Sequence, residues 1–170
     1  MVALNIQSRS VTTEVLDALT RASKNRGADL VVSQVYAEQV HDLFNYGMNA
    51  CNDQALVKNC IVELFLLVGP RPERLQEGES VDTNVFKMFR RLLIQHIASR
   101  EQRSISDVHR NLFSADTQMT QALTSFQLEA LFLKFQRKLT YREVASIMDL
   151  TIEQLHGQIS KAVDILLHKK

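Results

Sequence analysis

Breakers of regular backbone are scarce in this chain: 170 residues hold five glycines and two prolines, and both prolines, Pro70 and Pro72, fall in one short stretch. An all-β fold turns every few residues and draws on glycine and proline to do it. The chain is therefore expected to be all-α. Hydrophobic residues make up 45% and charged residues 23%, which allows one core or two small ones.

Val11, Val15, Leu16 and Leu19 stand near helical spacing, with Thr12 or Thr13 able to cap, so a short amphipathic helix is predicted over 10–23 and ended by Asn25-Arg26-Gly27. Residues 30–50 read as one long helix, on the stripe of Val31, Val35, Val40, Leu43 and Phe44. Asn52-Asp53 can cap the next helix, whose apolar face is Val57, Cys60, Ile61, Leu64, Phe65 and Val68. Leu66 and Leu67 widen that face. A widened face marks a helix buried from two sides, the commoner case, or a surface awaiting a partner.

The stretch from Gly69 through Glu79 gathers both prolines and many charges and predicts a loop. Past Ser80, Val85, Phe86, Phe89, Leu92, Leu93 and Ile97 restore the helical period, while Lys87, Arg90 and Arg91 fall mainly on the other side. One oily and one basic face result. From Ala98 to about Gln118 the chain is polar, with weak periodicity at Ile105, Val108 and Leu112, and reads as a tether or marginal helix. The expected organisation is an N-terminal extension (1–27), a helical bundle (28–99), a polar linker (100–118) and a second helical domain (119–170).

Within that last domain three threonines are each followed three residues later by Gln or Glu: Thr124 with Gln127, Thr140 with Glu143, and Thr151 with Gln154. In such a capping box the two side chains satisfy each other's orphan backbone N–H groups at a helix start. The implied helices span about 124–137, 140–148 and 151–168, and only Asp149-Leu150 separates the last two. So tight a corner between short helices is the helix-turn-helix arrangement, an ordinary helical hairpin being the alternative. Ala145 suits a crossing with room for little more than a methyl group, and Asp149 can take the left-handed conformation of the turn at modest cost.

The run from Leu139 to Met148, preceded by that from Phe126 to Phe135, resembles the fourth region of sigma factors of the extracytoplasmic-function group. Phe44 to Gly47, Leu56 to Leu66, Arg74-Leu75 and Val85 to Leu93 resemble the second region of the same family, in the same order; together the matches cover roughly 120 residues. The resemblance implies a sigma region 2 bundle and a sigma region 4 helix-turn-helix domain in a transcription initiation factor. It further implies that the front bundle docks on the clamp of core RNA polymerase through Asn59, Val62, Glu63 and Leu66. The same bundle would capture single-stranded promoter DNA with Arg71, Arg74, Lys87, Arg90 and Arg91, Asn84 lying near a base pocket. Capture of a single strand calls for cations along the backbone track; for each of these cations the alternative is a solvated helix face.

In the rear domain the resemblance places the helix from Thr151 in the major groove of an upstream promoter element, with Arg142, Thr151, Glu153, Gln154, His156, Gln158 and Lys161 facing DNA, while its neighbours bind the polymerase flap. That helix departs from type. From Ile152 to Lys161 it carries one Lys, offset by Glu153, and a glycine at 157. The electrostatic share of DNA affinity scales with the phosphates neutralised, and the net charge of the whole chain is only +1. Weak upstream reading is expected, and site choice could then come from a DNA-bound recruiter, for instance a nuclease-like protein guided by RNA, acting through effective concentration. The front region also lacks a tryptophan near Val68-Gly69, and Asn59 and Val62 stand where acidic residues are common in the family.

The alternative function is a degenerate sigma-like protein that occupies polymerase or an anti-sigma factor without starting transcription. An enzyme is not expected: His41, His96, His109, His156 and His168 form no His-Glu-x-x-His or Cys-x-x-Cys grouping, no phosphate-binding glycine loop is present, and no metal or cofactor is anticipated. Cys51 and Cys60 suggest neither a disulfide framework nor a zinc site. With no export signal and no run of ~18 apolar residues, the expected setting is the cytoplasm, without membrane insertion.

Overall fold

Most helices among the described residues begin at a short polar side chain that caps them, as Asp53, Ser80, Ser104, Thr124 and Thr140 do, and two close at a residue with positive φ, Asn52 and Gln102. The computed structural model describes residues 26–113 and 122–168, with side chains from residue 33 onward; the predicted helix over 10–23 lies outside them. The elements are α1 (Arg26–Cys51), α2 (Gln54–Val68), a 3₁₀ turn (Pro72–Gln76), α3 (Val81–Glu101), α4 (Ile105–Arg110), α5 (Ser125–Leu131) running into a π-turn (Phe132–Gln136), α6 (Tyr141–Ile147) and α7 (Ile152–His168). Among the described residues there is no strand, and no helix is long and apolar enough to cross a membrane.

Helix α1, 26 residues long, spans about 39 Å. Arg26 and Gly27, read from sequence as a helix end, instead open this helix. Asn52 closes it at φ 47°, its N–H donating to the Met48 carbonyl. Asp53 then starts α2 by accepting from the Leu56 N–H at 3.0 Å. The two helices meet closely at Gly47, where a Cβ would stand 2.7 Å from Val57 Cγ1. Helix α2 buries the face expected of it, but Leu66 and Leu67 remain 42% and 50% exposed, so the reading that both are covered is corrected.

Helix α3 is the spine. Ser80 caps it, and Gln102 ends it in the left-handed conformation, with the Arg103 N–H returning to the Ala98 carbonyl. Val85, Phe86, Phe89, Leu93 and Ile97 face α1 and α2 in a core that is closed to water. The opposite side of α3 is also covered, because α4 and α6 pack on it.

The polar stretch after α3 holds more structure than a tether. Ser104 accepts from the Asp107 N–H and starts α4, after which Val108, Leu112 and Phe113 are buried. Its weak periodicity was the real signal: three apolar groups suffice when they cap an existing core. Phe113 N–H donates to Ser125 Oγ, which fastens this segment to α5.

The rear helices follow the capping pattern. The Thr124–Gln127 and Thr140–Glu143 boxes are both reciprocal, and Thr151 and Gln154 exchange backbone bonds of 2.9 and 3.1 Å. One core cluster runs from Val35 through Ile159, so front and rear helices share their interior.

Candidate nucleic-acid interface

The rear corner is built by Asp149. Its φ of 55° lets the Leu150 N–H reach back to the Ala145 carbonyl at 2.9 Å, closing α6. Ala145 is buried beneath the crossing, with Val144, Ile147 and Met148 around it, and α7 answers with Leu155, Ile159 and Ala162. Outward, α7 presents Glu153, Gln154, His156 and Lys161, while Gln158 is half-buried. Thr151 is held by its capping role, and Arg142 is exposed on α6. The His156 ring lies 5.7 Å from that of Tyr141. The seven rear residues named from sequence thus lie on α6, α7 or the corner between them, and most of them are open to solvent. Hydrogen-bond donors and acceptors dominate this surface over cations.

Two exposed or half-exposed stripes mark the front. On α2, Asn59 and Leu66 are exposed and Val62 and Glu63 half-buried along one face, and Leu67 extends the apolar part. Glu63 Oε2 lies 2.6 Å from His96 Nε2. The second stripe comes from the 3₁₀ turn, where Arg71 and Arg74 are exposed. Asn84 ties this turn to α3 by donating to the carbonyls of Leu75 and Glu77 at 3.0 and 3.2 Å. Both amide hydrogens of Asn84 thereby fasten the loop to α3, and its side chain is half-buried.

The basic face of α3 differs most from expectation. Arg90 is 1% exposed: its Nε and Nη2 donate to the two carboxylate oxygens of Glu129 at 2.6 and 3.2 Å. Tyr46 Oη donates to the same carboxylate at 2.5 Å. Arg90 is therefore not a free cation on a surface, and the sequence expectation is corrected. Lys87 is half-buried, with Nζ donating to Ser146 Oγ at 2.9 Å and lying 3.7 Å from Glu79. Arg91 stays 60% exposed, 3.7 Å from Asp149. Every cation of α3 that the sequence offered to a single strand thus meets a group of the rear helices.

Burial, and after it the Glu129 carboxylate, holds the Tyr46 phenol well above its ordinary range. Burial alone would draw the Arg90 guanidinium down, but Glu129 more than offsets it and the net shift is upward. Phenol and guanidinium thus both keep their protons and donate to one carboxylate. Four aromatic rings surround Tyr46, those of Phe113, Phe86, Phe132 and Phe89, with centroids 5.2–6.2 Å away. In so dry a place a paired charge is far harder to break than at the surface.

Sequence reasoning passed over Glu129. Its signal was present: a lone carboxylate inside the apolar run from Phe126 to Phe135 must find a cation or leave the interior. Elsewhere, burial pushes the Cys60 thiol up to about 12, leaving almost no thiolate near neutrality. Among the described residues no three His, Cys, Asp or Glu side chains gather as a metal site. A scan against protein-family models and a search of curated proteins both give no match to this chain.

Proposed function

We propose that this chain is a transcription initiation factor of the sigma type, a region 2-like bundle and a region 4-like helix-turn-helix unit acting together on core RNA polymerase and promoter DNA. The observation that carries the reading is the rear corner: two short helices turned through a left-handed aspartate, packed over a buried alanine, with one polar face of α7 free. An α-helix carried in this way fits the major groove of B-DNA. The α2 stripe of Asn59, Val62, Glu63 and Leu66, with Leu67 beside it, supports a protein partner, since exposed leucines next to polar groups make an interface centre. In this reading the partner is the polymerase clamp, and the flap takes the rear unit.

The face of α7 has Lys161 as its one lysine, with Glu153 on the same helix. Few phosphates are neutralised by such a helix, so its DNA affinity depends only weakly on salt. Site choice then falls to a DNA-bound recruiter that raises the local concentration of the factor.

Transcription in vitro with core polymerase tests the proposal. The expected result is a stable complex with core enzyme and open-complex formation that rises steeply when a recruiter tethers the factor upstream. Strong, sequence-selective initiation by factor and core alone would remove the recruiter. The pairing of Arg90 with Glu129 favours one second reading, a sigma-like protein that occupies polymerase or an anti-sigma factor without opening DNA. Co-purification with core enzyme and no melted promoter under any condition would select it.

A further inference from the structure

Glu129 presents Arg90 with two oxygens in the fork geometry that a backbone phosphate would also present. The carboxylate comes from α5, in the rear unit, and the guanidinium from α3, in the front bundle. Around this pair the seam between the units is largely polar at its rim: Lys87 meets Ser146, Arg91 faces Asp149, and Ser80 Oγ donates to Glu143 Oε1 at 3.2 Å. Arg137, from the end of the π-turn, pairs with Asp42 of α1 at 2.5 Å. Seams of mixed polarity resemble the interfaces of domains that part and rejoin.

We propose that the Tyr46–Glu129–Arg90 cluster is an interlock: Glu129 stands in for a nucleic-acid phosphate and holds the rear unit over the basic face of α3, so the chain must open along this seam before that face can take a single strand. The inference rests on the function proposed above for what α3 binds, and adds how that binding is withheld. Both partners are stripped of water in the closed form, so parting them returns hydration to two charges, which offsets part of the pairing lost when the seam opens. A polyanion competes directly for Arg90, and a protein that grips the two units at a wider spacing releases it. Lys87 and Arg91 are uncovered by the same movement. Tyr46 completes the interlock from α1, because its hydroxyl has Glu129 as acceptor.

The full chain tests this through two readouts, the radius of gyration from small-angle X-ray scattering and the affinity for a short fluorescent DNA single strand of mixed sequence. Glu129→Gln keeps the shape and removes the charge. It should enlarge the particle and tighten strand binding about tenfold, as expected when the competent form ceases to be a minor state. Adding Arg90→Gln to Glu129→Gln should take that gain in strand binding away. Tyr46→Phe, which preserves the ring packing, should shift both readouts the same way by less. Circular dichroism checks helicity, and if Glu129→Gln loses it, Tyr46→Phe decides by the same readouts. Unchanged size and unchanged binding in a folded variant overturn the interlock. Enlargement with no strand binding by any form leaves the interlock standing and sinks the polynucleotide reading.

Discussion

Arg90→Ala strands the Glu129 carboxylate in a dry pocket, and breaking a buried pair from one side costs about 3–5 kcal/mol. That cost falls on the closed seam, so the expected reading is faster hydrogen exchange of the Phe113 N–H, bonded to Ser125 across the entry to α5. Replacing both partners with apolar residues, Arg90→Met with Glu129→Leu, should restore protection, since neither charge is left behind. Equal exchange in parent and Arg90→Ala would show that the pair does not hold the seam. A second residue-scale effect follows pH. The Thr140 backbone N–H, and after it side-chain bonds from Thr140 and Ser80, keep the Glu143 carboxyl below its ordinary range. A carboxyl depressed by folding adds stability above its unfolded pKa and loses it as pH falls through the folded value. Acidification below roughly pH 4 should therefore weaken the start of α6, and Glu143→Gln should flatten that acid limb of the stability profile measured in urea.

At the scale of elements, Gly47 and Gly157, each inside a helix, behave oppositely. Nothing lies within 4 Å of a Cβ built on Gly157, so Gly157→Ala should stabilise α7 by about 1 kcal/mol, visible as a higher urea midpoint at unchanged slope. At Gly47 the added methyl meets both Val57 methyls below 3 Å. Gly47→Ala should destabilise by about 1–3 kcal/mol, because α1 and α2 must separate or Val57 must leave its rotamer. Helices were the most legible part of this protein, since caps and apolar period act within a few residues of one another. Thr140 with Glu143, Thr151 with Gln154 and the left-handed Asp149 all stand where spacing placed them. The π-turn at Phe132–Gln136 was not legible, because an i to i+5 bond such as Arg137 N–H to Phe132 carbonyl depends on what the following loop must reach.

Over the whole molecule, one continuous core predicts one cooperative unfolding transition, with calorimetric and van't Hoff enthalpies equal. Arg90→Ala should split it in two, as front and rear units then melt apart. Two resolved transitions in the parent chain would mean that the shared interior contributes little. This level was the least legible. Glu129 lies 39 positions from Arg90 and 83 from Tyr46, and no local period announces such a meeting. The polar stretch of 100–113 hid its role for a related reason: Val108, Leu112 and Phe113 are too few to declare a helix alone, yet enough to seal one that others have built. Lys87, Arg90 and Arg91 do stand off the apolar face of α3, but what each of them meets depended on chain far away.

Asp149 carries a double duty that glycine could not. As the hinge of the corner it accepts a backbone posture that glycine adopts more easily, by up to about 1 kcal/mol, while its carboxylate reaches toward Arg91 on the spine helix, an exposed pair contributing at most about 1 kcal/mol. Swapping in glycine would leave overall stability nearly level while making the elbow easier and its mooring slacker, so the posture of the corner and part of its grip on the spine helix meet in a single side chain.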